Sequence, residues 1–153
     1  MTLDAETWLA LSDLVHRYAA GVDDRRFEEV VDLFADDATL TVPDPPRSLC
    51  PTVVHQGHAE IRQAIEAVAA AARTQHAIVG EVHAAENNAA RGRVSCIAHH
   101  WTVRDEQVTD VTWHLRYDDE YIRTDAGWRI ARRRLTIDAI ETRPVRRLRP
   151  DET

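Results

Sequence analysis

The chain has 153 residues, 44% hydrophobic and 29% charged, with a formal net charge of −7. That length suits one domain with a core of its own, and the negative balance argues against a general nucleic-acid binder, whose contact surface is basic. All nineteen basic residues are arginine, which excludes Schiff-base catalysis, lysine-anchored pyridoxal phosphate and a P-loop lysine.

Two cysteines, Cys50 and Cys96, make no disulfide framework. They read as reduced thiols in a cytoplasmic protein. No apolar run reaches membrane-span length, and residues 1–10 carry acids where a secretory leader needs bases, so no membrane contact is expected. The one basic cluster is the tail, with Arg143, Arg146, Arg147 and Arg149. It reads as a solvated end or an oligomer contact. The domain is taken as 1–153, with a core at about 5–140 and an arginine-rich tail over 141–153.

Behind an Asp4 cap, Trp8, Leu11, Val15, Tyr18, Ala19 and Val22 recur at helical spacing. Gly21 marks the frayed end of this helix, and Asp23-Asp24-Arg25-Arg26 is the hinge into a second, with Phe27, Val30, Val31 and Phe34 along one stripe. Residues 38–42 alternate as a first strand, halted by Pro43, Pro45 and Pro46, so residues 43–56 are predicted as a long irregular loop over a site. A third, alanine-rich helix covers 57–72 and turns Ile61, Ile65, Val68 and Ala72 inward.

The second half reads as strand after strand, over 73–85, 89–103, 108–123 and 128–140, joined at Glu86-Asn87-Asn88, Asp105-Glu106 and Asp125-Ala126-Gly127. In the first of these strands His76, Ile78, Gly80 and Val82 share the more apolar face. In the third, the apolar face is Val111, Trp113, Leu115, Tyr117 and Tyr121. In the last, Trp128 and Ile130 fall out of phase with Leu135, Ile137 and Ala139, which predicts a bulge near Arg132 to Arg134. Helices followed by an antiparallel meander mean an α+β fold, with three helices on one face of a strongly bent sheet.

Several segments together resemble the SnoaL-like branch of the nuclear transport factor 2-like superfamily, which includes scytalone dehydratase and the lindane dehydrochlorinase type. They are Tyr18-Ala19-Ala20-Gly21-Val22-Asp23, Leu33-Phe34-Ala35-Asp36-Asp37-Ala38, Gly57 before the third helix, Thr74-Gln75-His76, and the run from Tyr121 to Ile130. The resemblance implies a cone-shaped α+β barrel around a deep apolar pocket, with no cofactor, and association into homodimers or homotrimers. It also implies a catalytic dyad at Asp23 and His76, with a second histidine at His100, or at His99 one residue away. Departures from scytalone dehydratase stand at Val22 and Pro43, where its two water-polarising tyrosines would be, and near Tyr117, where its pocket asparagine falls. A different substrate is implied.

If Asp23 accepts a hydrogen bond from one nitrogen of His76, the other nitrogen becomes a base able to remove a proton beside a carbonyl. His100 would then hand a proton to a departing hydroxide or a forming enolate. The outcome is dehydration, isomerisation or cyclisation of a small hydrophobic oxygenated substrate, as in secondary metabolism or degradation. Tyr18, Trp113 and Tyr117 are the candidate substrate-binding side chains. Each residue also has a structural explanation: Asp23 or Asp24 capping the second helix, His100 facing solvent, Tyr18 and Trp113 filling the core, Tyr117 walling the pocket. His16 reads as exposed, while His55 and His58 flank the long loop as solvated groups or reach the pocket mouth. No metal-ligand spacing is present, and Cys96 lacks the electropositive setting of a nucleophile. The alternative function is a non-catalytic binding or assembly subunit, like the small subunit of ring-hydroxylating dioxygenases.

Overall fold

The computed structural model describes residues 3–151; the outermost residues of the predicted domain, 1–2 and 152–153, lie outside the described residues. Three helices, α1 (Ala5–Asp23), α2 (Phe27–Val31) and α3 (Gly57–Glu66), pack against a six-stranded sheet. Its strands are β1 (Phe34–Asp44), β2 (Ser48–Gln56), β3 (Arg73–Glu86), β4 (Ala89–Arg104), β5 (Gln107–Thr124) and β6 (Gly127–Val145), in the order β2-β1-β6-β5-β4-β3. Among the described residues only the β1–β6 pairing is parallel. The α+β architecture with a curved, mostly antiparallel sheet is therefore as expected.

Helix α1 starts where Asp4 accepts from the Thr7 amide at 2.8 Å, and its inner stripe of Leu11, Leu14, Val15, Tyr18, Ala19 and Val22 is buried. Gly21 is not a frayed end. It lies inside the helix, where an added Cβ would stand 2.5 Å from Val30 Cγ2, so its lack of a side chain lets α2 seat against α1. Gly21→Ala is expected to destabilise the protein by about 1–3 kcal/mol, since overpacking forces the helices apart; urea unfolding checks this.

Helix α2 is only five residues long, because the amide of Ile130 donates to Leu33 O at 2.9 Å and draws the chain into the sheet. Phe34, expected on the helix, opens β1 and is buried. The predicted loop over 43–56 is also corrected: the turn is short and β2 resumes at Ser48, pairing with β1 from Thr39↔Gln56 to Asp44↔Ser48. Pro51 is tolerated there because β2 is an edge strand with one neighbour. Helix α3 also ends earlier than predicted, continuing as a 3₁₀ turn over Ala67–Ala70.

Bulges decide which side chains face inward. In β3, Ile78 pairs with Cys96 but Gly80 with Ser95, so Val79 is the extra residue and the phase flips. His76 and Ile78 keep the predicted inward face; Val82 instead points outward at 71% exposure and His83 turns in. In β6, Glu120 faces Arg132 while Tyr121 faces Ile130, which puts the bulge at Ala131, just before the predicted window. Its effect is to bury Arg133 completely. A second shift, at Asp138, leaves Ala139 exposed rather than on the buried face of Ile137.

Candidate active site

The last residue of α1 and the start of β3 meet at one end of a cavity. Asp23 Oδ1 lies 2.7 Å from His76 Nδ1 and Asp23 Oδ2 accepts from the His76 backbone N–H at 2.8 Å. Thr74, also inward-facing on β3, donates its hydroxyl to Asp23 Oδ1 at 3.0 Å. Arg25, at a positive φ of 61°, donates to Thr74 Oγ1 at 2.9 Å and to the carbonyls of Val22 and Ala71. Because Thr74 Oγ1 accepts from Arg25, its own hydrogen is directed at Asp23. The carboxylate is thus spent on His76 and Thr74 and caps no helix: α2 has Arg26 at its N-cap and no side-chain cap.

A carboxylate can only accept, so the hydrogen of this contact sits on His76 Nδ1, and in the neutral ring Nε2 carries the lone pair. The side chain of His76 is 7% exposed. On β4 the apolar phase Val94, Cys96, Ala98 is buried, which places His100 on the cavity side. Its Nδ1 donates to Val111 O at 2.9 Å, and its ring lies 6.1 Å from that of His76 and 4.7 Å from that of Trp113. His99 faces the other way, paired with Asp110 at 2.7 Å and stacked on Trp101.

Burial pushes the His100 pKa below its ordinary value of 6.5, the Val111 carbonyl opposing this and neighbouring His76 adding to it. The unfolded chain therefore takes up this proton more readily than the folded one. Stability is expected to fall as pH drops through about 6.5 and to level off below the folded-state pKa. The slope should be shallower in His100→Phe when urea midpoints are compared across pH.

The cavity has a volume of about 420 Å³. Tyr18, Val22, Val42, Pro43, His76, His100, Thr102, Trp113, Leu115 and Tyr117 line it, with Ala64, Ala67, Ala70 and Ala71 from α3 and the turn after it. Among the described residues no aspartate, glutamate or arginine lines it. Its size is that of sites for small organic ligands. A wider opening of about 1290 Å³ surrounds the β3–β4 turn, and neither His76 nor His100 lines it. Of the other predicted positions, His16 is exposed and bonded to its own helix at Ser12 O, and His58 bonds Phe34 O instead of reaching the pocket mouth.

Sequence reasoning missed the support beneath Tyr18 and Tyr117. Arg133 is clamped by Asp119 through two bonds of 2.8 and 2.7 Å, and its guanidinium lies 4.3 Å from the Tyr18 ring centroid and 4.1 Å from that of Tyr117. Tyr121 donates to Asp119 at 2.7 Å. Burial works against the charge on Arg133, and the Asp119 carboxylate outweighs it, leaving the guanidinium pKa above its ordinary value. Burial likewise raises the phenols of Tyr18 and Tyr117, which stay protonated. A signal was present: Asp119 shares the inward phase of Tyr117 and Tyr121, and an inward acid needs a cation.

Cys96 is buried and its thiol is pushed up to about 12 by burial, so a nucleophilic role is closed to it. Native protein is expected to react with a thiol reagent once, at exposed Cys50, and twice after denaturation. Among the described residues no cluster of three or more metal-ligating side chains occurs, and no helix is long and apolar enough to cross a membrane.

Residues 4–134 match the sequence profile of the SnoaL-like domain. No curated protein matches the chain at a significant level. Among solved structures, a candidate aromatic ring hydroxylase from Novosphingobium aromaticivorans is 26% identical, with a TM-score of 0.75 over 94% of this chain and 96% of that one. A candidate scytalone dehydratase from the same organism is 19% identical, with a TM-score of 0.76 over 94% and 91%. The type 3 LinA hexachlorocyclohexane dehydrochlorinase of Novosphingobium barchaimii is 16% identical, with a TM-score of 0.74 over 97% and 96%.

Proposed function

The chain belongs to the SnoaL-like domain family, and on that premise we propose that it is a cofactor-independent acid/base enzyme, a dehydratase, isomerase or cyclase, acting on a small neutral hydrophobic oxygenated substrate. The observation that carries the reading is the 2.7 Å Asp23–His76 contact at the wall of an open, uncharged cavity.

In this reading His76 Nε2 takes a proton from a carbon next to a carbonyl, the C–H electrons passing into an enolate. Asp23, held by Thr74 and by the His76 amide, keeps the ring oriented and stabilises the imidazolium that forms. The imidazolium then returns the proton. Delivered to a departing hydroxide it yields water and a new double bond; delivered to another carbon of the enolate it moves the double bond. Either way His76 is restored and no oxidant or reductant is consumed. Dry walls such as Val22, Leu115 and Trp113 strengthen the charge interactions within. Self-association into a homodimer or homotrimer belongs to the same proposal, and light scattering tests it.

The alternative, a binding or assembly subunit, would be favoured by a cavity filled with its own side chains; here about 420 Å³ stays open among walls that include Trp113, Tyr117 and four alanines. Proton exchange discriminates the two without knowledge of the natural substrate. With β-tetralone in heavy water, the protein is expected to accelerate deuterium incorporation beside the carbonyl above the buffer rate, as followed by NMR. His76→Ala and Asp23→Asn are expected to return it to that rate. Exchange no faster than buffer across a set of neutral cyclic ketones would favour the binding reading.

A further inference from the structure

We infer that Arg25 is a positioning residue for the proton transfer, holding the Asp23–His76 pair through the hydroxyl of Thr74. This rests on the reading that His76 is the base, and gives a part to a side chain that does not itself line the cavity.

The backbone supplies the first reason. Helix α1 ends in a closed turn, in which the Arg26 amide donates to Gly21 O at 2.8 Å and the Arg25 amide to Val22 O at 3.1 Å, with Arg25 at a φ of 61°. That is the left-handed position at which helix ends favour glycine, and a residue with a Cβ is disfavoured there. The turn itself therefore does not call for arginine. What the arginine adds is its side chain: Nη1 donates to Thr74 Oγ1 at 2.9 Å and to Val22 O at 3.2 Å, and Nη2 donates to Ala71 O at 3.2 Å. One guanidinium thus ties the end of α1, which carries Asp23, to the entry of β3, which carries His76.

The second reason is the direction of each hydrogen. A guanidinium only donates, so Thr74 Oγ1 accepts from it and turns its single hydrogen to Asp23 Oδ1, 3.0 Å away. The same oxygen takes the His76 Nδ1 hydrogen at 2.7 Å. Thr74 therefore pins the oxygen that orients the ring. Burial lowers the Arg25 pKa from its ordinary value, the Asp23 carboxylate opposing this, Arg73 adding to it and Asp151 opposing it; an arginine nonetheless stays charged. With the guanidinium gone, the Thr74 hydroxyl is free to rotate and the Asp23 carboxylate loses its fixed donor. A base misplaced by about 1 Å costs about 10²-fold in rate.

Deuterium exchange into β-tetralone and the proton NMR signal of His76 Nδ1–H test this together, the signal being identified by its loss in His76→Ala. Arg25→Gly suits the left-handed turn and removes the guanidinium. It is expected to slow exchange by about tenfold to 10²-fold at saturating ketone with little change in KM, and to move the Nδ1–H signal upfield. Its urea midpoint should stay near that of the wild type, relief at the turn offsetting the lost bonds; Arg25→Asn, which also accepts a positive φ, serves the same comparison should the glycine variant not fold. Thr74→Val should act alike, and Thr74→Ser, which keeps the hydroxyl, should recover the rate. Because the two residues act in series, Arg25→Gly combined with Thr74→Val should stay within about twofold of the slower single variant. An unchanged rate or an unchanged signal in Arg25→Gly, losses that multiply in the double variant, or no recovery in Thr74→Ser overturns the inference and leaves His76 standing as the base. Failure of the enzymatic reading looks different: the wild type itself would exchange tetralone no faster than buffer, and the Nδ1–H signal alone would decide whether Arg25 holds the pair.

Discussion

Replacing His76 by alanine is expected to lower turnover by about 10²-fold to 10⁴-fold, the usual share of a positioned general base, with little change in the unfolding midpoint. The Nε2 lone pair is removed outright, and the space left opens onto an existing cavity. Asp23→Asn is the sharper test, because it keeps the shape. Three hydrogens converge on the Asp23 carboxylate, from Thr74 Oγ1, His76 N and His76 Nδ1. An amide has one oxygen to meet them and brings an NH₂ group that faces a donor. The ring must then rotate, or move its hydrogen to Nε2 and lose the base. A loss of about 10³-fold in kcat with a small change in KM is expected, by the same reasoning that makes tautomer control matter in Ser-His-Asp triads. Retention of more than a tenth of the activity in either variant, measured by steady-state kinetics on any substrate found, would move the chemistry to another group.

The largest loss of stability is expected at Asp119. With Arg133 fully buried and Asp119 3% exposed, Asp119→Ala strands a guanidinium between two phenol rings with nothing to balance it. Breaking a buried pair from one side costs about 3–5 kcal/mol, which for a chain of this size is a fall in Tm of about 10 °C. Arg133→Met should be similarly damaging, because Asp119 would keep only the Tyr121 hydroxyl. The double variant Asp119→Ala with Arg133→Met should be less destabilised than the sum of the singles, since no charge is left unpaired. Guanidinium denaturation of the three proteins measures the coupling. Equal and additive losses would mean that the five aromatic and charged groups are held by packing alone.

Much of the site could be read from the chain because its key contacts are set locally. Asp23 stands at the end of a helix with a clear apolar stripe, and His76 follows Thr74 on one face of a strand. Neither position depends on distant registers. The choice between His99 and His100 was legible only as a competition, and the burial of Val94, Cys96 and Ala98 decided it. What escaped the sequence was the face change after Val79 in β3 and the burial of Arg133 that follows the slip in β6. The extra residue at Val79 turned His83 inward and Val82 outward, and the one at Ala131 drove Arg133 of the run Arg132-Arg133-Arg134 into the core. A bulge inverts the later side chains, and it shows in the sequence only where apolar residues continue on both sides of it, as in β6 and not in β3. The prolines hid β2 for a related reason: Pro43 stands near the end of β1 and Pro45 and Pro46 in the turn, while Pro51 is on an edge strand, where proline is tolerated.

The small side chains at the end of α3 and in the 3₁₀ turn, Ala64, Ala67 and Ala70, give the pocket an adjustable wall. Each added methyl group there would subtract space from the ligand's seat without disturbing Asp23, His76 or His100, which are fixed on α1, β3 and β4. Divergence toward smaller or differently shaped molecules can therefore proceed by substitution along one short segment, with the proton-handling apparatus inherited intact.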